Sequence, residues 1–400
     1  MKIAKKVQIP YLFGFFCELM FFYSFYNTYF LQNGFKGTHL ASLLVAMQAS
    51  RLLFIMPAGI LSDLISRRNI LILGLLLKMS FCAICLVSSN YYFLLLGCCI
   101  YGISMGCMQI ETYFYDNFRR HNEEQKYPVF IGHFYAIMNA AIALASLGAG
   151  KIYTLFGFNG VFGGSIIALS IAILLLLMMP NYKQVKDKVQ VLEVKESTKI
   201  IALIKSIIKK PKIMQYLIMV FLFEGLFFVF IDLNTILMNE IGFKPQEITH
   251  VLAVLGVVKI FFNGIAGYTV NFLTFKRLQS YLFIFMFVSL ILSFINGYFL
   301  VAIASSYYIL YAFFDLSART RLQNHIDSAT RATIMSIEGI LASVFVIVMN
   351  ASIGVIANIY GYLSSITFVS LITIIMLFVS RNIMLFYRLD NNIRGLFSRR

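Results

Sequence analysis

Apolar stretches long enough to cross a bilayer recur twelve times along this 400-residue chain. Each crossing needs about 20 mostly apolar residues, so twelve of them take up about 240 and leave only short loops and tails. The stretches run over residues 9–32, 40–61, 70–88, 91–118, 129–155, 158–179, 213–238, 248–270, 278–295, 298–317, 332–359 and 362–386. With 60% hydrophobic and 12% charged residues, no polar surface could enclose so much apolar chain. A soluble enzyme is thereby excluded, and the expectation is an all-α membrane protein with twelve transmembrane helices.

A net charge of +16 invites a nucleic-acid reading. A nucleic-acid binder, however, gathers its Lys and Arg on one accessible face, whereas here they punctuate the apolar runs. Lys36, Lys151 and Lys244 lie on one side of the membrane in this threading, and Arg51, Lys78 and Lys259 lie within spans. The remaining basic residues fall on the side of the chain termini. Positive loops stay on the cytoplasmic side during insertion, so both termini are expected in the cytoplasm of a multi-pass cell (inner) membrane protein. The six cysteines all sit in apolar stretches of the first quarter, which argues for packing over a disulfide framework or a metal site. No cofactor, metal or nucleic acid is expected; the partners are a small-molecule substrate, protons and the lipid bilayer, and the chain is expected to be a monomer.

The two halves of the chain repeat one another. Gly34-Phe35-Lys36 recurs as Gly242-Phe243-Lys244, Arg51 as Lys259, Gly59 as Gly267, Glu18 as Glu224 and Glu111 as Asp315. Several ordered matches with charge preserved mark a tandem duplication of a six-helix unit. The expected organisation is residues 1–180 as a first six-helix bundle, a basic cytoplasmic linker over 181–212, and residues 213–400 as a second bundle with a basic tail. Within the linker, residues 197–208 carry a helical periodicity suited to a membrane surface.

Between the second and third stretches the chain reads Gly59-Ile-Leu-Ser-Asp63-Leu-Ile-Ser-Arg67-Arg68. This resembles the major facilitator superfamily signature Gly-x-x-x-Asp-Arg-x-Gly-Arg-Arg/Lys, with Leu64 in place of its Arg and Ser66 in place of its second Gly. A weaker copy, Gly267, Asn271, Lys276 and Arg277, follows in the second half. Glu111-Thr-Tyr-Phe-Tyr115-Asp116 is similar to a Glu-Ala-x-x-Tyr-Asp stretch of bacterial efflux-like facilitators. Gly148-Ala-Gly150 resembles the glycine-rich motif of drug/proton antiporters, without its proline. The resemblance implies two pseudo-symmetric six-helix bundles and a gating motif of Gly59, Asp63, Arg67, Arg68 and Asp116. In it Asp63 meets the start of the eleventh span, and an arginine pairs Asp116.

Glu18, Arg51, Glu111, Glu224, Lys259 and Asp315 lie within spans. Each would cost about 2.5–3.5 kcal/mol facing lipid at mid-bilayer, so they face protein or water. At about 1.5 Å per residue, Glu18 and Arg51 sit at comparable depths and could pair, as could Glu224 and Lys259. Arg319, one turn after Asp315, can pair with it along the helix. These six are the candidates for proton coupling. Phe22, Phe25, Tyr29, Met108, Tyr115, Phe228 and Tyr311 are the candidates for a substrate cavity, the first three because helical periodicity puts them on the face of Glu18.

The function this implies is secondary active transport of a small organic solute by alternating access, proton-coupled, with export the expected direction. Nutrient import by proton symport is the alternative, and a transport-inactive receptor on the same fold a more distant one. If Asp63 accepts hydrogen bonds at the start of the eleventh span, a carboxylate at a helix N-terminus contributes about 0.3–2 kcal/mol to the closed cytoplasmic face. Asp63→Asn should then slow transport and raise the labelling of a cysteine placed at Ser62 from the cytoplasmic side. Unchanged labelling together with normal flux would reduce the motif to a topology signal.

Overall fold

A computed structural model describes residues 2–181, 211–269, 273–295, 297–325 and 331–397. The linker stretch 197–208, Asn271 and the start of the eleventh span at 329–330 fall outside the described residues, as do the side-chain surroundings of Gly59, Ser62, Asp63 and Gly267.

Among the described residues every regular element is a helix. Lipid offers backbone N–H and C=O groups no partner, so a spanning segment must satisfy its own. The second and third crossings are Thr38–Leu64 and Arg67–Val87, and the seventh to twelfth are Pro211–Glu240, Pro245–Thr269, Phe275–Leu292, Gly297–Asn324, Arg331–Tyr360 and Leu363–Phe397. The fifth and sixth form one assigned helix, Tyr127–Leu177, which contains a non-helical Gly157 at φ 61°. Its apolar part is 49 residues, more than twice what the hydrocarbon layer holds. The chain therefore turns back at Gly157, the residue that reaches positive φ without strain.

Two crossings are broken where the sequence suggested continuous helices. The first consists of Lys2–Glu18, a short 3₁₀ turn over Phe21–Ser24, and Tyr26–Gln32; the fourth consists of Tyr91–Cys107 and Ile110–Arg120. The break in the first crossing is repaired from a neighbour, because the buried Phe22 N–H donates to Ser165 Oγ of the sixth crossing at 3.2 Å. The corresponding crossings of the second half, Pro211–Glu240 and Gly297–Asn324, run unbroken.

The repeat appears in the helix ends. Gly34 and Gly242 have φ of 85° and 89°. The following Phe35 and Phe243 N–H groups donate back to Phe30 O at 3.1 Å and Met238 O at 2.9 Å. The repeated tripeptide is thus a helix C-terminal cap that needs glycine for its left-handed backbone. Ser66 Oγ accepts from Asn69 N at 3.2 Å, and Thr274 Oγ1 accepts from Arg277 N at 3.4 Å. Each hydroxyl caps the third crossing of its half. Ser66 therefore replaces the signature's glycine with a capping group.

The described chain divides into two compact units. The first contains Met1–Gln184 with Ile231–Phe261 and Val346–Tyr362. Its centre is aromatic: Phe22 lies 5.4 Å from Phe81 and 5.5 Å from Tyr101, and Phe81 stacks on Tyr101 at 4.9 Å. Gly102 and Gly106 let the fourth crossing pack against the backbone of the second, since a Cβ at Gly102 would run into the Met47 carbonyl oxygen. At the ends of the crossings away from the chain termini, neutral hydrogen bonds tie segments of the second half to the first. Gly37 N donates to Tyr362 Oη at 2.7 Å, Asn358 Nδ2 to Thr38 Oγ1 at 3.0 Å, and Asn239 Nδ2 to Thr28 Oγ1 at 3.0 Å. Gly150, of the glycine-rich motif, packs against Thr249 and Gln246.

The second unit contains Val185–Phe230, Phe262–Phe345 and Leu363–Arg400. Tyr307 anchors its described part by stacking on Phe230 at 4.7 Å and donating to Phe223 O at 3.2 Å. Gln215 and Gln279 both reach Ser380 of the twelfth crossing.

Gly102→Val should lower the apparent melting temperature in detergent, because overpacking costs about 1–3 kcal/mol even where the neighbour can move, and here it is backbone. Gly163→Val, where nothing lies within 4 Å of an added Cβ, should leave it unchanged.

Candidate functional site

Three groups of intramembrane charge emerge, two in the first unit and one in the second. Glu18, the last residue before the break in the first crossing, lies 3.9 Å from Lys78 Nζ of the third crossing. Both side chains are largely buried, at 13% and 4% exposure. The cation beside Glu18 is therefore Lys78 and not Arg51, which is half-buried on the second crossing. Depth along the membrane fixed only one coordinate of the pairing; the direction of each helix face supplied the other.

Asp232 is buried in the first unit with no basic side chain bonded to it among the described residues. Tyr26 Oη and Asn27 Nδ2 donate to its Oδ1, the latter at 3.2 Å. Sequence reading overlooked Asp232, although it sits within the apolar stretch 213–238 and met the criterion that picked out Glu224.

The third group gathers three carboxylates around one guanidinium in the second unit. Arg319 Nε donates to Asp315 Oδ1 and Oδ2 at 3.1 and 3.0 Å, Nη1 to Glu338 Oε2 at 3.2 Å, and Nη2 to Glu224. The pairing of Asp315 with Arg319 follows the sequence expectation. Glu224 is reached by the planar fork of the same Arg319, from the tenth crossing. Glu338, in the stretch 332–359, was also overlooked. Its side chain is only 3% exposed. Glu338 and Glu224 sit on adjacent nitrogens of the same guanidinium, and Glu338 Oε1 is buried with no hydrogen-bond partner among the described residues. Tyr311, one turn from Asp315, stacks on Phe227 at 4.1 Å. Phe228 lies half-buried beside that pair.

Glu111 is exposed at the start of the second segment of the fourth crossing, and Tyr135 Oη of the fifth donates to its carboxylate. Tyr115 is 42% exposed, whereas Met108 falls in the break itself. Phe22, Phe25 and Tyr29 do not form an accessible wall. They are 0%, 0% and 6% exposed and belong to the aromatic core. The break at Leu19–Met20 ends the helical period that put them on the face of Glu18, so the residues after it point elsewhere.

Of the gating motif, Arg67 Nε lies 2.8 Å from Asp116 Oδ2, the arginine–Asp116 pair that the resemblance implied. Arg68 Nη1 donates to Leu177 O and Met179 O at 3.2 and 2.8 Å, closing the C-terminal end of the sixth crossing. A cation there offsets the negative end of the helix dipole. A cleft of about 640 Å³ in the second unit is lined by Phe262, Phe285, Phe299 and Phe314 among others. Its hydroxyls, Ser289 and Ser306, already donate to Phe285 O and Ile303 O, so it is fitted to hydrocarbon and not to a polar ligand.

Removing one partner of a buried ion pair strands the other, at about 3–5 kcal/mol. Lys78→Ala should therefore destabilise the purified protein more than Lys78→Ala combined with Glu18→Gln. Equal melting temperatures for the single and double variants would remove Glu18 and Lys78 from the list of coupled pairs.

The sequence matches none of the curated proteins. By fold it is similar to several solved structures. The nucleoside transporter NupG superposes with a TM-score of 0.74 at 12% identity, covering 96% of this chain and 99% of that one. The D-xylose-proton symporter superposes with a TM-score of 0.71 at 12% identity over 95% and 97%. A bacterial homolog of the human lysosomal transporter Spinster, in an inward-facing and occupied conformation, gives 0.62 at 13% identity over 97% and 96%. The family model for the Major Facilitator Superfamily matches residues 11–320, and with twelve crossings, capped repeats and the Arg67–Asp116 pair in place, the chain belongs to that superfamily of small-solute membrane transporters.

Proposed function

We propose that the chain couples proton movement to the export of a small organic solute by alternating access, as a monomer in the cell (inner) membrane with both termini cytoplasmic. The observation that supports proton coupling is the convergence of Glu224, Asp315 and Glu338 on the single guanidinium of Arg319, with Glu338 Oε1 buried and holding no hydrogen-bond partner among the described residues. One guanidinium balances one of the three negative charges around it, so the cluster is a natural place for protons to be loaded and released as its exposure to water changes. The D-xylose-proton symporter of the same fold supports the general class.

Export is favoured by the glycine-rich motif of the fifth crossing, where Gly150 meets Thr249 of the eighth. A motif that resembles one in drug/proton antiporters thus sits at a contact that alternating access has to make and break. The positive-inside distribution of Lys and Arg supports the orientation.

Proteoliposomes with an imposed pH gradient, run against a solute panel in both gradient directions, test this reading. Glu338→Gln should abolish gradient-driven flux while leaving solute exchange at equal pH within about twofold of wild type, because the isostere keeps the packing and loses the proton. Flux that runs with the proton gradient instead of against it establishes import. Full gradient-driven flux in Glu338→Gln removes the cluster as the coupling site.

A further inference from the structure

Among the described residues, most intramembrane carboxylates are already engaged. Glu18 faces Lys78, Asp116 faces Arg67, Glu224, Asp315 and Glu338 surround Arg319, and Asp232 is buried under Tyr26 and Asn27. Glu111 differs: it is exposed, and no basic side chain among the described residues pairs with it. Its position nine residues before Arg120 puts it well inside the fourth crossing. A carboxylate there and exposed must face a water-filled cavity and not lipid.

Its neighbours are tyrosines from two crossings. Tyr135 Oη donates to the Glu111 carboxylate, and Tyr127 Oη donates to the Glu111 backbone carbonyl at 3.3 Å. Tyr115 stands edge-on to Tyr127 with ring centroids 5.3 Å apart, and both Tyr115 and Tyr135 are more than a third exposed. One tyrosine hydroxyl uses only one of the roughly four lone-pair positions of a carboxylate. What is left is a negative charge with open acceptor positions, bordered by electron-rich ring faces.

We propose that Glu111, Tyr115, Tyr127 and Tyr135 recognise a positively charged nitrogen or phosphonium centre, and hence that the transported solute is an organic cation. The carboxylate supplies charge, and the tyrosine rings supply the cation–π surface that a weakly hydrated organic cation prefers over water. An anion is repelled by Glu111, and a neutral solute gains nothing from it. This inference rests on the transporter reading but uses a different site from the proton-coupling cluster.

The test is equilibrium binding of radiolabelled tetraphenylphosphonium to the purified full chain in lipid nanodiscs. Saturable binding is expected, displaced by ethidium and not by uncharged triphenylphosphine oxide or by benzenesulfonate. Glu111→Gln should raise the Kd at least tenfold, and Tyr115→Leu severalfold with an unchanged melting temperature. Glu111→Asp should recover part of the affinity. No saturable binding to wild type, equal displacement by the uncharged analogue, or wild-type affinity in both Glu111→Gln and Tyr115→Leu would overturn the proposal, and none of these results bears on gradient-driven flux of a neutral solute.

Discussion

In hydrocarbon an unpaired backbone N–H or C=O has no water to turn to, at a cost of several kcal/mol per group. Each crossing therefore has to be a helix, and each departure from a helix has to be repaired by something specific. Ser165 accepts the Phe22 N–H at the break in the first crossing. Gly34, Gly157 and Gly242 take the positive φ that closes or reverses helices. Ser66 and Thr274 cap helix starts, and Arg68 closes a helix end. The small set of polar groups at these places is what lets so apolar a chain hold one fold.

The same scarcity of water organises the charges. A carboxylate inside the membrane either meets a cation, meets neutral donors, or faces a cavity, and the chain uses all three solutions. Glu18 and the Arg319 group take the first, Asp232 the second and Glu111 the third. The environments differ in what they can do. A paired and buried charge holds helices together. A cluster with more acids than bases can exchange protons. An exposed carboxylate among tyrosines is open to a ligand.

The two halves keep their repeat in the caps and have diverged in the crossings. The Gly-Phe-Lys ends and the hydroxyl caps remain equivalent 208 residues apart, whereas the first and fourth crossings are broken and the seventh and tenth are not. Both breaks fall beside an acid, Glu18 in one and Glu111 in the other. Discontinuous helices in transporters commonly mark where ions and substrates bind. The charge chemistry has diverged along the same line, with a lysine partner in one half and a shared arginine in the other.

The twelve crossings, with a turn between residues 155 and 158, and the Asp315–Arg319 pair were legible in the sequence because they depend on one-turn spacing or on the approximately 20-residue length of a span, the duplication because several matches recur in order, and the Arg67–Asp116 pair only through the resemblance to the superfamily signature. Even Asp232, Glu338 and Lys78 were marked by position, as charges inside apolar runs. What the sequence could not decide was direction. Phe22, Phe25 and Tyr29 were placed on the face of Glu18 by a period that a break at Leu19–Met20 interrupts, and no glycine or proline at that point announces the break. Arg51 was matched to Glu18 by depth alone, when the pairing depends on which faces meet. Hydropathy and charge fix how the chain threads the bilayer, because lipid acts on every residue of a segment alike. Only the packing of helix against helix decides which buried acid meets which base, because that depends on rotations about the helix axes that one sequence leaves free.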